Sequence, residues 1–187
     1  MKTEVISIIE TELIQTFEEL FKWFNIDTEL LHYAPNNKGW SIRKILEHIS
    51  LTNQYLLMLI SKGTRKALER SRKEDYAEML VDYDLDWQRM KIIGQHNSFV
   101  WNRPDHMEPR GKRQVADIRQ ELESQLQQCR ILLQKMPHGE GALYKIMMSV
   151  NNLGKIDVYH YIYFLVQHAK RHITQMEGVE VEFNLGV

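Results

Sequence analysis

Four stretches of this chain repeat apolar residues at spacings of three and four, and that period restricts the fold more than any other feature. The first spans about residues 3–32, with Ile6, Ile9, Leu13, Phe17, Leu20 and Phe24 in register. Pro35 and Gly39 in "HYAPNNKG" break it. The second begins at "WSIRKILEHISLTNQYLLMLI" (40–60), with Ser41 as N-cap and Trp40 and Ile45 at the two positions of a hydrophobic staple. Ile42, Ile45, Leu46, Ile49, Leu56 and Ile60 form its stripe, and Gly63 is expected to end it. The third, about 112–136, closes at Pro137. The fourth runs from Asp157, a suitable N-cap, to Glu177, with Gly178 at its end.

Between the second and third stretches lies a mixed region, 61–111. Its opening, "KALERSRKEDYAEML", can be helical, whereas the prolines of "GQHNSFVWNRPDHMEPRG" (94–111) cannot sit inside a helix. We expect an ordered crossover there, anchored by Phe99 and Trp101. A connection that long should contain short helices or part of the function. Segment 138–156 is a second irregular connection, with a short extended piece at "LYKIMMSV". Together these features predict an all-α chain: one domain over residues 1–187, folded as an antiparallel four-helix bundle with a long crossover between its second and third helices.

Charge and cysteine content narrow the function classes. With 24 basic against 25 acidic residues the net charge is −1, which lacks the footprint of a nucleic-acid-binding protein. "RGKR" (110–113) reads as a solvated loop before a helix. Cys129 is the only cysteine and shares a helical face with Leu122, Leu126, Leu132 and Leu133, so it reads as a packed thiol in a reducing compartment. No apolar run is long enough for a signal peptide or a membrane span. The expected location is cytoplasmic, with no membrane contact.

The fourth stretch carries an anomaly. In "FLVQHAKRHITQ" (164–175) two histidines stand four apart on the side of the helix that should be dry. Taking Leu165 as the centre of the stripe, His172 lies about 20° away and His168 about 60° away, while His160 points outward. Imidazoles at i and i+4 can converge on one ion, and burial keeps them neutral with a lone pair to donate. Eight histidines in 187 residues give roughly 0.3 chance pairs at this spacing, so spacing alone does not separate a metal site from hydrogen-bonded core histidines. A third ligand is needed, and His48 on the second helix is the best candidate, about 100° from Ile49 at the edge of its stripe. His32, His96, His106 and His138 fall at helix ends or in loops and read as ordinary turn or surface residues.

At these residues the chain resembles the DinB/YfiT-like superfamily of proposed metalloenzymes. The resemblance is carried by "KGWSIRKILEHISLTNQYLL" and, far downstream, "LGKIDVYHYIYFLVQHAKRHITQME": a Trp-Ser helix start, a histidine some seven residues on, and a carboxy-terminal His-x-x-x-His. It covers nearly the whole chain in helix order. The resemblance implies a four-helix bundle with three histidine ligands, here His48, His168 and His172, and a tendency to form homodimers.

Three neutral imidazoles leave a coordination position open, as in catalytic rather than structural sites. Zinc or nickel suits such ligands, and iron is also compatible. Thr52 and Tyr55 share the side of His48, and Tyr161 that of His168, so all three are candidates to line a pocket, with core packing the alternative for each. Glu47 is expected on the solvated face, and no residue stands out as a general base. "DYDLDW" (82–87) opens like a calcium loop, but Trp87 and Ile93 stand where Gly and Glu belong. Glu29 and His32 supply a single Glu-x-x-His, short of a di-iron set. The leading expectation is a metal-dependent hydrolase that activates water against a small molecule. Two alternatives stand beside it: a metal-dependent transferase or isomerase using a low-molecular-weight thiol, which some relatives imply, and a non-catalytic bundle for dimerisation or partner binding.

Overall fold

Helix α1 (Lys2–Lys22) buries Val5, Ile9, Leu13, Phe17 and Leu20 along one stripe. Full burial of each large apolar side chain stabilises the fold by about 1.5–3 kcal/mol. The fold is that of a computed structural model that describes residues 2–36, 39–73, 75–100 and 104–186. The first helix does not reach residue 32 as the period suggested. Trp23, Phe24 and Asn25 donate to carbonyls three residues back, which tightens and ends the helix, and a separate short helix α2 (Thr28–His32) follows.

Helix α3 (Ile42–Ser71) starts where Ser41 was expected to cap it, although the Ser41 side chain makes no capping bond. It continues through Gly63 to Ser71. Gly63 is there for closeness: a β-carbon would lie 2.9 Å from Ile146 Cδ1 and 3.0 Å from Val158 Cγ2. Gly63→Val is therefore expected to lower the free energy of unfolding by about 1–3 kcal/mol, despite its better helix propensity. Urea denaturation measures this, and an unchanged midpoint would mean that Ile146 simply moves aside.

The crossover contains helix α4 (Trp87–Gly94), capped by the Asp86 carboxylate accepting from Arg89 N, and short 3-10 turns at Glu78–Leu80 and Asp105–Met107. Phe99 packs against the core, and Trp101 lies outside the described residues. Helix α5 (Val115–Gln134) buries Ile118, Leu122, Cys129 and Leu133. Burial pushes the Cys129 thiol up to about 12, so it is a packed, protonated core group.

Strands β1 (Lys145–Met148) and β2 (Gly154–Asp157) pair antiparallel, Ile146 opposite Ile156, around a turn with left-handed Asn151, Asn152 and Gly154. The hairpin leads into helix α6 (Val158–Leu185), whose N-cap Asp157 accepts from His160 N. Gly178 does not end this helix. Beyond it Val179 is buried, Phe183 packs edge-on against Tyr33 at 5.3 Å, and Glu182 accepts from Tyr33 OH and Asn36 N. These tertiary contacts carry the helix to Gly186, which caps it at φ +66°.

Helix α6 packs on α1, α3 and α4, and α5 packs on α3 and α1, so the four long helices touch in a ring with α4 laid over α6. Every residue from Tyr161 to Ala169 is consequently buried, those away from the Leu165 stripe included. His160 is also less outward than expected: its Nδ1 lies 2.9 Å from Asp157 Oδ1, and its Nε2 accepts from Asp86 N. Among the described residues no helix is long and apolar enough to cross a membrane.

Candidate metal centre

The α6 side chains that face the interior cavity follow directly from helical rotation. At 100° per residue His172, Tyr161, His168, Gln175, Phe164 and Arg171 fall in that order within an arc of about 100°. Opposite them α3 presents His48, Thr52, Tyr55, Leu56 and Leu59, spaced by one helical turn. Residues 147–150, at and after the end of β1, and the turn holding Met107 close the remaining sides. The cavity so formed measures about 450 Å³.

Inside it three imidazoles meet. The ring centroids of His48 lie 5.2 Å from those of His168 and 4.8 Å from those of His172, and the latter two are 4.5 Å apart. One nitrogen from each ring lies within 4.8 Å of the other two. His168 Nε2 and His172 Nε2 are 3.1 Å apart, close to the roughly 3.4 Å between neighbouring ligand nitrogens on a tetrahedral zinc ion. All three residues are buried. Among the described residues they are the group of His, Cys, Asp or Glu side chains close enough together to hold a metal ion.

Hydrogen bonding orients two of the rings. His48 Nδ1–H donates to Met107 O at 2.8 Å, and a carbonyl can only accept, so Nε2 carries the lone pair. His172 Nδ1–H donates likewise to Gln175 Oε1 at 2.8 Å. This is how ligating histidines are ordinarily held. Burial holds His168 well below the usual imidazole range, with the neighbouring His172 and His48 adding to the effect. Burial likewise lowers His172 to about 3. Both rings are therefore neutral at pH 7, which suits the donor set to a divalent cation.

Thr52 is buried on the cavity wall. Tyr161 is buried beside it, its hydroxyl donating to Met147 O at 2.7 Å, and burial raises it to about 12. Tyr55 stands half-open at the rim, its ring 5.0 Å from that of His106. Glu47 contradicts the expectation of a solvated face. It is 3% exposed, and its carboxylate accepts from Gly111 N at 2.7 Å and Arg110 N at 3.4 Å. It ties the segment after Met107 to the helix that carries His48, so it steadies the carbonyl that orients the ring.

Periodicity did not single out Arg171, Gln175, Met107 or the rim residue His96 as cavity residues. Arg171 and Gln175 were accessible in principle, since the rotation that places His168 on the dry face places them beside it. Met107 and His96 come from the crossover, where no period operates.

Residues 12–176 match the family described as the DinB superfamily. No curated protein and no solved structure matches the chain.

Proposed function

The chain belongs to the DinB superfamily, and we propose that it is a metal-dependent enzyme of hydrolase type in which His48, His168 and His172 hold one divalent ion, zinc or nickel. One observation supports this above all: three buried imidazoles within a common 4.8 Å reach, two with Nδ1–H already engaged, at the wall of a cavity of small-molecule size. The closed ring of helix contacts supports the accompanying reading of a single-domain four-helix bundle.

When bound, such an ion supplies Lewis acidity and lowers the pKa of water. The chain itself contributes the rest. Met107 O and Gln175 Oε1 fix ring tautomers, and Leu56 and Phe164 limit water at the cavity wall. No carboxylate lines the cavity among its described residues.

Elemental analysis of natively purified protein, followed by a screen of small amides and esters with and without chelator, tests this. About one equivalent of metal and turnover that disappears on chelation are expected. Metal-free protein, or chelator-insensitive turnover, overturns it. Consumption of a low-molecular-weight thiol in place of water would redirect the same site to transfer chemistry.

A further inference from the structure

We propose that His96 is the group that takes the proton from the attacking water and relays it between the cavity and bulk solvent. The inference rests on the metal reading and deepens it, because it supplies the base that the cavity otherwise lacks. Among the described residues lining the cavity there is no carboxylate. His48, His168 and His172 are engaged as ligands in that reading. Tyr161 is raised to about 12, and phenols and guanidinium groups ordinarily keep their protons at neutral pH. Among the described lining residues this leaves His96 as the side chain that can both gain and lose a proton near pH 7.

Its placement fits the task. His96 lines the cavity yet is exposed, so one ring borders both the guest and bulk water. It stands outside the 4.8 Å ligand group, so it faces the ion rather than binding it, yet a charge on it would be felt at His172. The backbone around it is held. Gln95 O accepts from Arg171 Nη1 at 2.5 Å, Ser98 Oγ lies 2.9 Å from both Ile92 O and Gln95 O, and Asn97 turns the chain at φ +60°. The charged and titratable groups facing the ring are Arg171 and His172, both of α6. Partial burial, and then the Arg171 charge, hold His96 below the usual imidazole range, and the charge of the ion acts in the same direction. The ring is therefore a free base at pH 7, and a proton placed on it is driven on to solvent. In the step itself the water oxygen bonds to the acyl carbon while one of its protons passes to a His96 nitrogen. The leaving group departs with its bonding electron pair and takes its proton from solvent. The opposite ring nitrogen then releases a proton to bulk water, which restores the neutral ring.

Magnetic-resonance titration of the histidine rings in the full chain, chelated and zinc-loaded, tests the placement, with zinc content measured on the same samples. Zinc is expected to lower the His96 midpoint by about half a pH unit or more, while His160, on another side of α6, is unmoved. A chain that takes up zinc without moving the His96 midpoint overturns the proposal and leaves the metal reading standing. One that takes up no zinc overturns both. This readout needs neither a variant nor turnover. Hydrolysis of 4-nitrophenyl acetate by the zinc-loaded chain tests the transfer. His96→Gln should lower kcat by about tenfold or more, with KM and zinc affinity within about twofold. Added 1,2-dimethylimidazole, a base hindered at its free nitrogen, should restore much of that loss and leave the unmodified chain unchanged. An unaltered kcat in the variant, or a loss that the added base does not restore, overturns the proposal. So does an unmodified loaded chain without turnover, which removes the hydrolytic reading while the zinc site remains.

Discussion

Replacing His172 with alanine is expected to weaken zinc binding by more than about a hundredfold, because losing only an outer-sphere partner of a ligand already costs about 10–100-fold. The ring removed is 8% exposed, 4.5 Å from His168 and 4.8 Å from His48 by centroid, so it sits at the convergence of the set. Competition against a chromophoric zinc chelator measures the loss. Stability gives a second readout. Zinc at a thousand times its dissociation constant should stabilise the unmodified chain by about 4 kcal/mol and the variant hardly at all. His160→Ala is the control, since His160 faces Asp157 and Asp86 on another side of α6. A His172→Ala protein that keeps zinc affinity within threefold, or a His160→Ala protein that loses it, would remove the three-histidine centre from consideration.

What made that prediction possible was visible in the amino-acid order, and the reason is local. His168, His172 and Tyr161 lie on one helix, where 100° of rotation per residue fixes their relative direction without knowledge of anything else. His48 needed one more step, a second helix facing the first, and amphipathic patterning supplied it. The helix ends were less legible. Gly63 and Gly178 have the composition of stops, yet the backbone runs through both. In one case Ile146 and Val158 come so close to Gly63 that a β-carbon there would crowd them, and in the other Tyr33 and Asn36 hold Glu182 and Phe183 from outside the helix. Glu47 failed for a related reason. Adjacent helical residues do diverge by about 100°, but the direction taken as solvent is covered by the segment at Arg110 and Gly111. Propensity and period describe a helix in water, and each miss arises where an irregular segment replaces the water. Helix α4 is the largest instance, since it covers α6, which is buried at every residue from Tyr161 to Ala169.

The same burial that prepares the histidines for a cation makes the metal-free protein acid-sensitive, and this is the second large effect expected. Unfolded histidine titrates near pH 6.5. In the folded chain His172 is lowered to about 3 and His168 well below its usual value, both chiefly by burial. The sign follows from proton counts: between about pH 3 and 6.5 the unfolded chain binds a proton at His172 that the folded chain does not, and His168 acts in the same direction. Stability therefore falls as pH falls through that window, and neither group contributes above it. Each contributes up to about 1.4 kcal/mol per pH unit, so His172 alone should account for about 2 kcal/mol between pH 7 and pH 5, with His168 adding to it. Urea unfolding of chelated protein at several pH values measures the slope. A His168→Gln/His172→Gln double variant subtracts the contribution of every other titrating group. The unmodified chain should lose at least about 2 kcal/mol more than the double variant over this range, and a difference below about 1 kcal/mol would mean that the two rings reach solvent and take up protons in the folded state. Zinc should oppose the loss while it stays bound, because its ligands must remain deprotonated, so acid acts on the loaded protein first by releasing the ion and only then by unfolding the chain.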